Sequence, residues 1–473
     1  MKNNYSILAT VDVTSYTSLK DLYEDLLAVK RDVFADDERI VIVFNSSNQK
    51  KLIDQLLIDI DIDDFFIIFK TTDNCNGLDF NFGDSFCIYP WSNIEIKNTG
   101  VFSPCCKFQV GILDDQEQPM TIQNASIDTA YHSKFMKNLR NAFRKNIKPH
   151  ACNDCWINED SGVGISLRQR AEYKFRDVYY TLDYVNDTIN NLRSMDLKLG
   201  STCNLSCRIC SPYPSSKIAT MELNAGRLSK IEFNQIKENT RWSELDNFWY
   251  QFLPIVHNLR ELDILGGEPL LVKSHYNFLK KLVELDVAKN IRLDYTSNGT
   301  IFAEEYIPIW KEFQEVKISF SIDDINDRFE YQRNNAVWDK VVDNIKRYSL
   351  LKSDKFITEM YPTINIQNVY YLPELVDWAT SMEFNHIEYS YLHGPEYLSI
   401  ESMPDQAKTL VLHKLRPYVD KHPMILSSVT MIEHSANGVS NLEFLKQMQM
   451  RDTERNQNFA SAHTDIAKAM GYE

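Results

Sequence analysis

Nine cysteines constrain this chain more than any other feature. They stand at positions 75, 87, 105, 106, 152, 155, 203, 207 and 210, and none follows in a chain of 473 residues. A disulfide scaffold spreads its cysteines more evenly, and an odd count leaves one thiol over. The opening segment, MKNNYSILATVDVTSY, has no long apolar stretch of the signal-peptide kind. No apolar run reaches the length of about 18 residues that a membrane helix needs. A reducing cytoplasm is therefore the expected compartment, and clustered thiols there usually serve metals.

Composition bounds the rest. With 44% apolar residues the chain can build a large core. Its length predicts two to four domains at roughly 100–200 residues each. The 66 acidic residues outnumber 51 basic ones for a net charge of −15, which argues against non-specific nucleic-acid binding.

Hydrophobic periodicity divides the chain into four parts. Residues 1–80 read as a small α/β domain, with YSILATVDV, RIVIVF and FFIIFK as strands and two helical stretches between them. No G-x-G-x-x-G follows the first strand, so this part reads as a packing or substrate-docking domain. Residues 81–190 hold the first cysteine region. Here SNIEIKNTGVFSPCC reads as strand, turn and strand, KFMKNLRNAFRKNIK as part of a basic helix, and ACNDCW as a tight Cys-x-x-Cys turn. Residues 191–400 alternate strand and helix, with MDLKLG, ELDIL, IRLDYT, VKISFSI, TINIQNV and HIEYSYL as six candidate strands. That pattern predicts an α/β fold, a partial (β/α)6 barrel. Residues 401–473 form a helical C-terminal extension.

Directly after the MDLKLG strand comes GSTCNLSCRICSP, with Cys203, Cys207 and Cys210 in a Cys-x3-Cys-x2-Cys spacing. Three thiolates within eight residues can wrap one face of a [4Fe–4S] cubane and leave one iron open. Zinc with a fourth ligand is the alternative on spacing alone. Polar residues gather where the following strands end. Gly266, Gly267 and Glu268 follow ELDIL, Asn298 follows IRLDYT, and Ser319, Ser321 and Asp323 close VKISFSI. Paired glycines allow close backbone approach to a ligand, and a carboxylate there can hold an ammonium group. The carboxyl ends of parallel strands are where α/β folds build ligand sites.

This combination resembles the radical S-adenosylmethionine family over about residues 195–400. CNLSCRIC looks like its cluster loop and GGEPLL like its segment for the methionyl amine. The resemblance implies that Cys203, Cys207 and Cys210 hold a [4Fe–4S] cluster whose open iron takes the amine and carboxylate of S-adenosylmethionine. It implies that Asn298, Ser319, Ser321 and Asp323 help seat the carboxylate or ribose, and that Asn368 of TINIQNVYY lies near the adenosine. One departure is Ile209, where the family usually carries an aromatic residue. The upstream segments FCIYPW, PCC and CNDCW resemble the twitch module, a shortened relative of the SPASM domain, here placed ahead of the barrel. That implies a second [4Fe–4S] cluster on Cys87, Cys105, Cys152 and Cys155, with Cys106 able to replace Cys105 and Cys75 outside the pattern. Spacing alone leaves zinc open at this site too.

The activity the resemblance implies is reductive cleavage of S-adenosylmethionine to a 5′-deoxyadenosyl radical. That radical takes hydrogen from a peptide or protein substrate, with an electron donor such as flavodoxin or ferredoxin. A small metabolite (sugar, nucleoside or amino acid) is the alternative substrate, and a zinc-clamped interaction protein the non-enzymatic alternative. Arg328, Tyr331 and Arg333 fall near the expected barrel mouth, and Tyr295 is one of several residues that could line the cavity.

Overall fold

In this computed structural model the described residues are 40–44, 65–69, 85–108, 110–161, 166–175, 182–184, 186–438 and 440–472. The chain forms two compact units, one of residues 1–89 and 138–186, the other of residues 90–137 and 187–473.

In the first unit, β1 (Ile40–Phe44) pairs in parallel with β2 (Phe65–Phe69). These are the predicted RIVIVF and FFIIFK strands. The YSILATVDV strand, both helices of that domain and Cys75 lie outside the described residues. Further on come helices α1 (Asn153–Ser161) and α2 (Leu167–Lys174). Ser166 starts α2 with a reciprocal cap. Its Oγ accepts from Gln169 N at 3.1 Å while its own N–H donates to Gln169 Oε1 at 2.9 Å, satisfying two donors that a helix start leaves over.

The second unit is built on an open sheet of eight strands. β3 (Asn93–Ile96) and β4 (Phe102–Ser103) form an antiparallel hairpin at one edge. β5 (Ser194–Lys198) follows, and the short β6 (Ser206–Cys207) lies apart from the main sheet. Then come β7 (Glu261–Leu265), β8 (Arg292–Ser297) and β9 (Glu315–Phe320). β10 (Arg333–Asn334) pairs antiparallel with β6. β11 (Phe356–Met360), β12 (Thr363–Ile364), β13 (His386–Ile387) and β14 (Ser390–Tyr391) complete the strands. The sheet order is β13-β11-β9-β8-β7-β5-β3-β4, and every pair except β3–β4 is parallel. It is an α/β sheet that does not close into a barrel.

Two expectations change. The fifth long strand is FITEM, not TINIQNV. Only Thr363–Ile364 of the latter is extended, pairing with β14 away from the main sheet. And the sheet crosses the division expected at residue 190. Asn93–Ile96 pairs residue for residue with Ser194–Leu197, so backbone hydrogen bonds bind that hairpin into the sheet of the expected barrel.

One face of the sheet is apolar and buried, carrying Met195, Leu197, Leu262, Ile264, Leu293, Tyr295, Val316 and Ile318. Helices cover it. On α3 (Lys273–Glu284), His275 meets Tyr295 Oη at 3.3 Å. On α4 (Trp338–Ser349), Tyr348 packs on Phe320 with ring centroids 5.4 Å apart. Tyr295 therefore sits beneath helices instead of lining a cavity.

The other face is polar and part-exposed, whereas parallel strands covered on both faces are apolar throughout. Glu95, Asp196, Asp263, Asp294 and Lys317 stand in register on five adjacent strands. After β11 come α5 (Leu372–Ser381), α6 (Asp405–Leu415), α7 (Pro423–His434) and α8 (Leu442–Arg455), so the C-terminal region is helical as expected. Among the described residues, no helix is long and apolar enough to cross a membrane.

Candidate iron–sulfur and S-adenosylmethionine site

The loop after β5 carries Cys203, Cys207 and Cys210, and backbone crowding shapes it. Gly200 has φ +70°, and a Cβ there would lie 1.9 Å from Thr240 O. Gly267, at φ +54°, would put a Cβ 2.4 Å from Thr202 O, and Gly266, at φ +86°, one 2.8 Å from Lys198. Only glycine tolerates both the left-handed backbone and such close approach. The Glu268 N–H then donates to Thr202 O at 2.8 Å, joining the two strand-end loops.

The three thiols influence one another electrostatically. Burial pushes Cys203 and Cys210 up to about 12 and also raises Cys207. The Cys203 sulfur accepts Leu205 N–H at 3.5 Å. Cys207 lies on β6, opposite Arg333 of β10, whose Nη1 is 3.9 Å from the sulfur.

This donor set suits a cluster. Among the described residues, the one trio of acidic, thiol or imidazole ligand atoms lying within 4.8 Å of one another is Glu261, Asp263 and Asp294. The three cysteines therefore stand wider apart than tetrahedral zinc would draw them, since bonds of about 2.3 Å bring its sulfurs to within about 4 Å of each other. Bound iron would also reverse the burial effect by coordinating deprotonated sulfur.

The predicted polar residues have varied surroundings. Glu268 is fully buried and accepts from Asn298 N at 2.7 Å, Ser297 Oγ at 3.1 Å and Leu270 N at 3.2 Å. Its carboxylate braces the next strand end through these three bonds. Asn298 Nδ2 donates to Asn204 Oδ1 at 2.9 Å and lies 4.0 Å from Cys203 Sγ. Asn204 Nδ2 in turn reaches Thr300 Oγ1 at 2.8 Å.

Ser319 Oγ donates to Glu359 at 2.9 Å, on the polar face of the sheet. The Ser321 N–H donates to Ser297 O at 2.9 Å. Asp323 is buried, accepts Thr363 N–H at 2.9 Å and pairs with Arg333 Nη2 at 2.8 Å. It therefore fixes the guanidinium that faces Cys207. Asn368 uses its amide within its own turn, accepting Asn365 N–H at 2.8 Å and donating to Thr363 O at 2.9 Å.

Sequence reasoning missed the support behind the loop. Arg208 donates to Tyr331 O at 3.0 Å and to Gln457 Oε1 at 3.0 Å, and its guanidinium lies 3.6 Å from the Tyr331 ring centre. Its ion pair with Asp452 of α8 spans 2.5 Å, with both side chains buried. Asp452 also accepts from Tyr331 Oη at 2.8 Å, Phe459 N at 2.6 Å and Tyr472 Oη at 2.5 Å. Nothing local in CNLSCRIC announces this partner. Arg328, expected near the mouth, pairs with buried Asp324 at 2.9 Å and covers the Tyr371 ring.

In the first unit, Cys87, Cys152 and Cys155 form a second thiol group. Burial raises all three, and Cys152 and Cys155 add to the effect on Cys87. The Cys155 sulfur accepts backbone N–H groups of Arg168 and Leu167 at the start of α2, an arrangement that favours thiolate. Arg168 is held by Glu159 at 2.7 Å and donates to Phe86 O at 2.8 Å.

In the second unit, Cys105 O accepts from Ser103 Oγ at 3.0 Å. The Cys106 thiol is pushed up to about 12 by burial of its sulfur and by the Asp196 and Glu95 carboxylates, although the residue as a whole is exposed. All eight described cysteines are free thiols.

Comparison with known proteins agrees with this chemistry. The profile of the radical SAM superfamily matches residues 197–379. That of an iron–sulfur cluster-binding domain, SPASM, matches residues 87–156. Residues 197–379 thus carry a radical SAM domain and residues 87–156 a SPASM-like iron–sulfur module, the make-up of a radical SAM enzyme, and such domains imply [4Fe–4S] iron and S-adenosylmethionine. No curated protein matches.

Solved structures similar to it include anSMEcpe with bound AdoMet and Cp18Cys peptide, at 14% identity, 48% coverage of this chain and TM-score 0.32. Streptococcus suis SuiB bound to precursor peptide SuiA is 13% identical, with 69% of this chain and 68% of that chain covered and TM-score 0.32. The chain spans 60% of the length of anSMEcpe.

Proposed function

We propose that this enzyme cleaves S-adenosylmethionine reductively and takes hydrogen from a peptide or protein substrate. Cys203, Cys207 and Cys210 are the residues that would hold the radical cluster, with Gly266, Gly267, Glu268, Asn298, Ser319, Ser321, Asp323 and Asn368 around S-adenosylmethionine. Cys87, Cys105, Cys152 and Cys155 would hold an auxiliary [4Fe–4S] cluster that passes electrons. When bound, cluster and S-adenosylmethionine supply one electron and a 5′-deoxyadenosyl radical able to attack an unactivated C–H bond. The protein's own part is to position the thiols, hold Asn298 through Glu268, and keep Arg333 beside Cys207 through Asp323. A low-potential donor such as flavodoxin or ferredoxin would supply the electron, in a reducing cytoplasm.

One observation carries the choice of a peptide. The row Glu95, Asp196, Asp263, Asp294 and Lys317 runs across five strands. At roughly 4.8 Å per strand spacing that is a polar floor about 19 Å long, the length of an extended segment of about six residues. Lys317 pairs with Asp294 at 2.7 Å and Lys198 covers the buried Glu95 at 2.6 Å, so part-exposed Lys198, Asp294 and Lys317 offer both signs of charge along it.

The test is anaerobic reconstitution followed by reduction with peptide libraries in deuterated buffer. Formation of 5′-deoxyadenosine, accelerated by a peptide that changes mass, is the expected outcome. Acceleration only by sugars, nucleosides or amino acids would replace the peptide reading. Zinc content without S-adenosylmethionine cleavage would remove the radical one.

A further inference from the structure

Four guanidinium groups lie on the cluster loop or on the elements that brace it, and their partners differ. Arg333 has Asp323 at 2.8 Å. Arg208 has Asp452 at 2.5 Å. Arg451 has Glu222, and Glu454 at 3.4 Å. Arg455, the last residue of α8, has no carboxylate partner among the described residues, and its Nε and Nη1 are buried without a hydrogen-bond partner among them. An unpaired buried cation is costly, and breaking such a balance usually destabilises a fold.

Arg455 is nevertheless fixed in place. Asp452, one turn earlier, is the buried hub already described. Asn456 ends the helix in the left-handed conformation at φ 49°. Gln457 then accepts from Arg208. Asp452 and Gln457, on either side of Arg455, both bind Arg208, the residue that follows Cys207, so the end of α8 is held against the cluster loop. A guanidinium keeps its charge throughout the working pH range.

We propose that Arg455 is the counter-charge of the radical cluster: a buried guanidinium, delivered by the C-terminal extension beside Cys207, that stabilises the cluster's reduced state. This rests on the assignment of Cys203, Cys207 and Cys210 as cluster ligands. The physical logic is charge balance. Three thiolates around a [4Fe–4S]2+ core leave a net negative charge, and one electron from an external low-potential donor adds another. A fixed cation at close range in a poorly solvated loop favours that second charge. Arg333, already neutralised by Asp323, contributes less. The extension is thereby part of the redox site and more than a cover for the sheet.

The test uses the full-length, anaerobically reconstituted protein and a redox titration read by EPR. The radical cluster is distinguished from any auxiliary one by the change S-adenosylmethionine makes to its signal. Arg455→Met keeps the apolar stem and removes the charge, whereas Arg455→Lys keeps the charge. The expected result is a roughly tenfold shift of the Arg455→Met cluster toward the oxidised state, about 59 mV for one electron, with Arg455→Lys within about threefold of wild type. An unshifted Arg455→Met cluster at wild-type iron content overturns the proposal. So does an equal shift, or equal loss of iron, in both variants, because that marks a packing role. Loss of the cluster from Arg455→Met alone, with Arg455→Lys at wild-type potential, supports it. A wild-type protein with no S-adenosylmethionine-responsive signal would instead remove the underlying ligand assignment.

Discussion

Glu268 shows how one buried carboxylate can tie two strand-end loops together. Burial raises it from the ordinary 4.5 to about 7 against the pull of three donated hydrogen bonds. Between those values the folded protein holds a proton that the unfolded chain has lost, so stability falls as pH rises from 4.5 to 7 and levels off above. Urea midpoints across that range should show the slope in wild type, on the order of 3 kcal/mol in all. In Glu268→Gln the slope should flatten, and at low pH that variant should be weaker by about 1–3 kcal/mol because its amide cannot accept all three bonds. The residue itself was legible in GGEPLL, since a carboxylate after a glycine pair at a strand end stands out. Its role was not. The partners Ser297 and Asn298 lie about thirty residues on, and a local motif cannot say whether a carboxylate points at a ligand or at the next strand. Asn204 was missed for a similar reason: an asparagine inside a cysteine loop carries no periodic signal.

Among the elements, the cluster loop is defined as much by distant backbone as by its own sequence. Gly200→Ala would drive a Cβ into Thr240 O and also strain a left-handed residue. A loss of at least about 1–3 kcal/mol and reduced iron loading are expected, measured by urea unfolding and iron assay. Asp452→Asn would leave buried Arg208 without its counter-ion. That should cost about 3–5 kcal/mol, seen as a lower unfolding midpoint, whereas the exposed pair Lys281–Glu284 should be nearly silent when broken.

Strands β5, β7, β8 and β9 were readable because each alternates an apolar residue under helices with a polar one on the open face. TINIQNV imitates that rhythm, yet Asn365, Gln367 and Asn368 spend their amides on turn hydrogen bonds. FITEM, the real strand, is buried at four of its five positions, so its alternation is faint. The hairpin β3–β4 was recognised as a hairpin, but nothing local says which sheet it joins.

At the scale of the whole molecule, the bias of cysteines toward the first 210 residues becomes two thiol groups, one in each compact unit, with Cys105 and Cys106 following β4. The double variant Cys152→Ala, Cys155→Ala should lower iron by about four atoms per chain if those thiols hold a cubane. It should leave the S-adenosylmethionine-responsive EPR signal in place. Loss of both signals together would show that the second group supports the first. The contact between Arg208 and Asp452 has a further consequence, for the birth of the protein. The two residues lie 244 positions apart. At roughly 5–20 residues per second of synthesis, the cysteine loop leaves the ribosome some 10–50 s before the residues that brace it. Throughout that interval three thiols are carried on an unbraced loop. Iron delivery to Cys203, Cys207 and Cys210 is thus best timed after translation has passed residue 457, and ribosome-bound chains halted short of α8 should take up less iron at this loop than released ones.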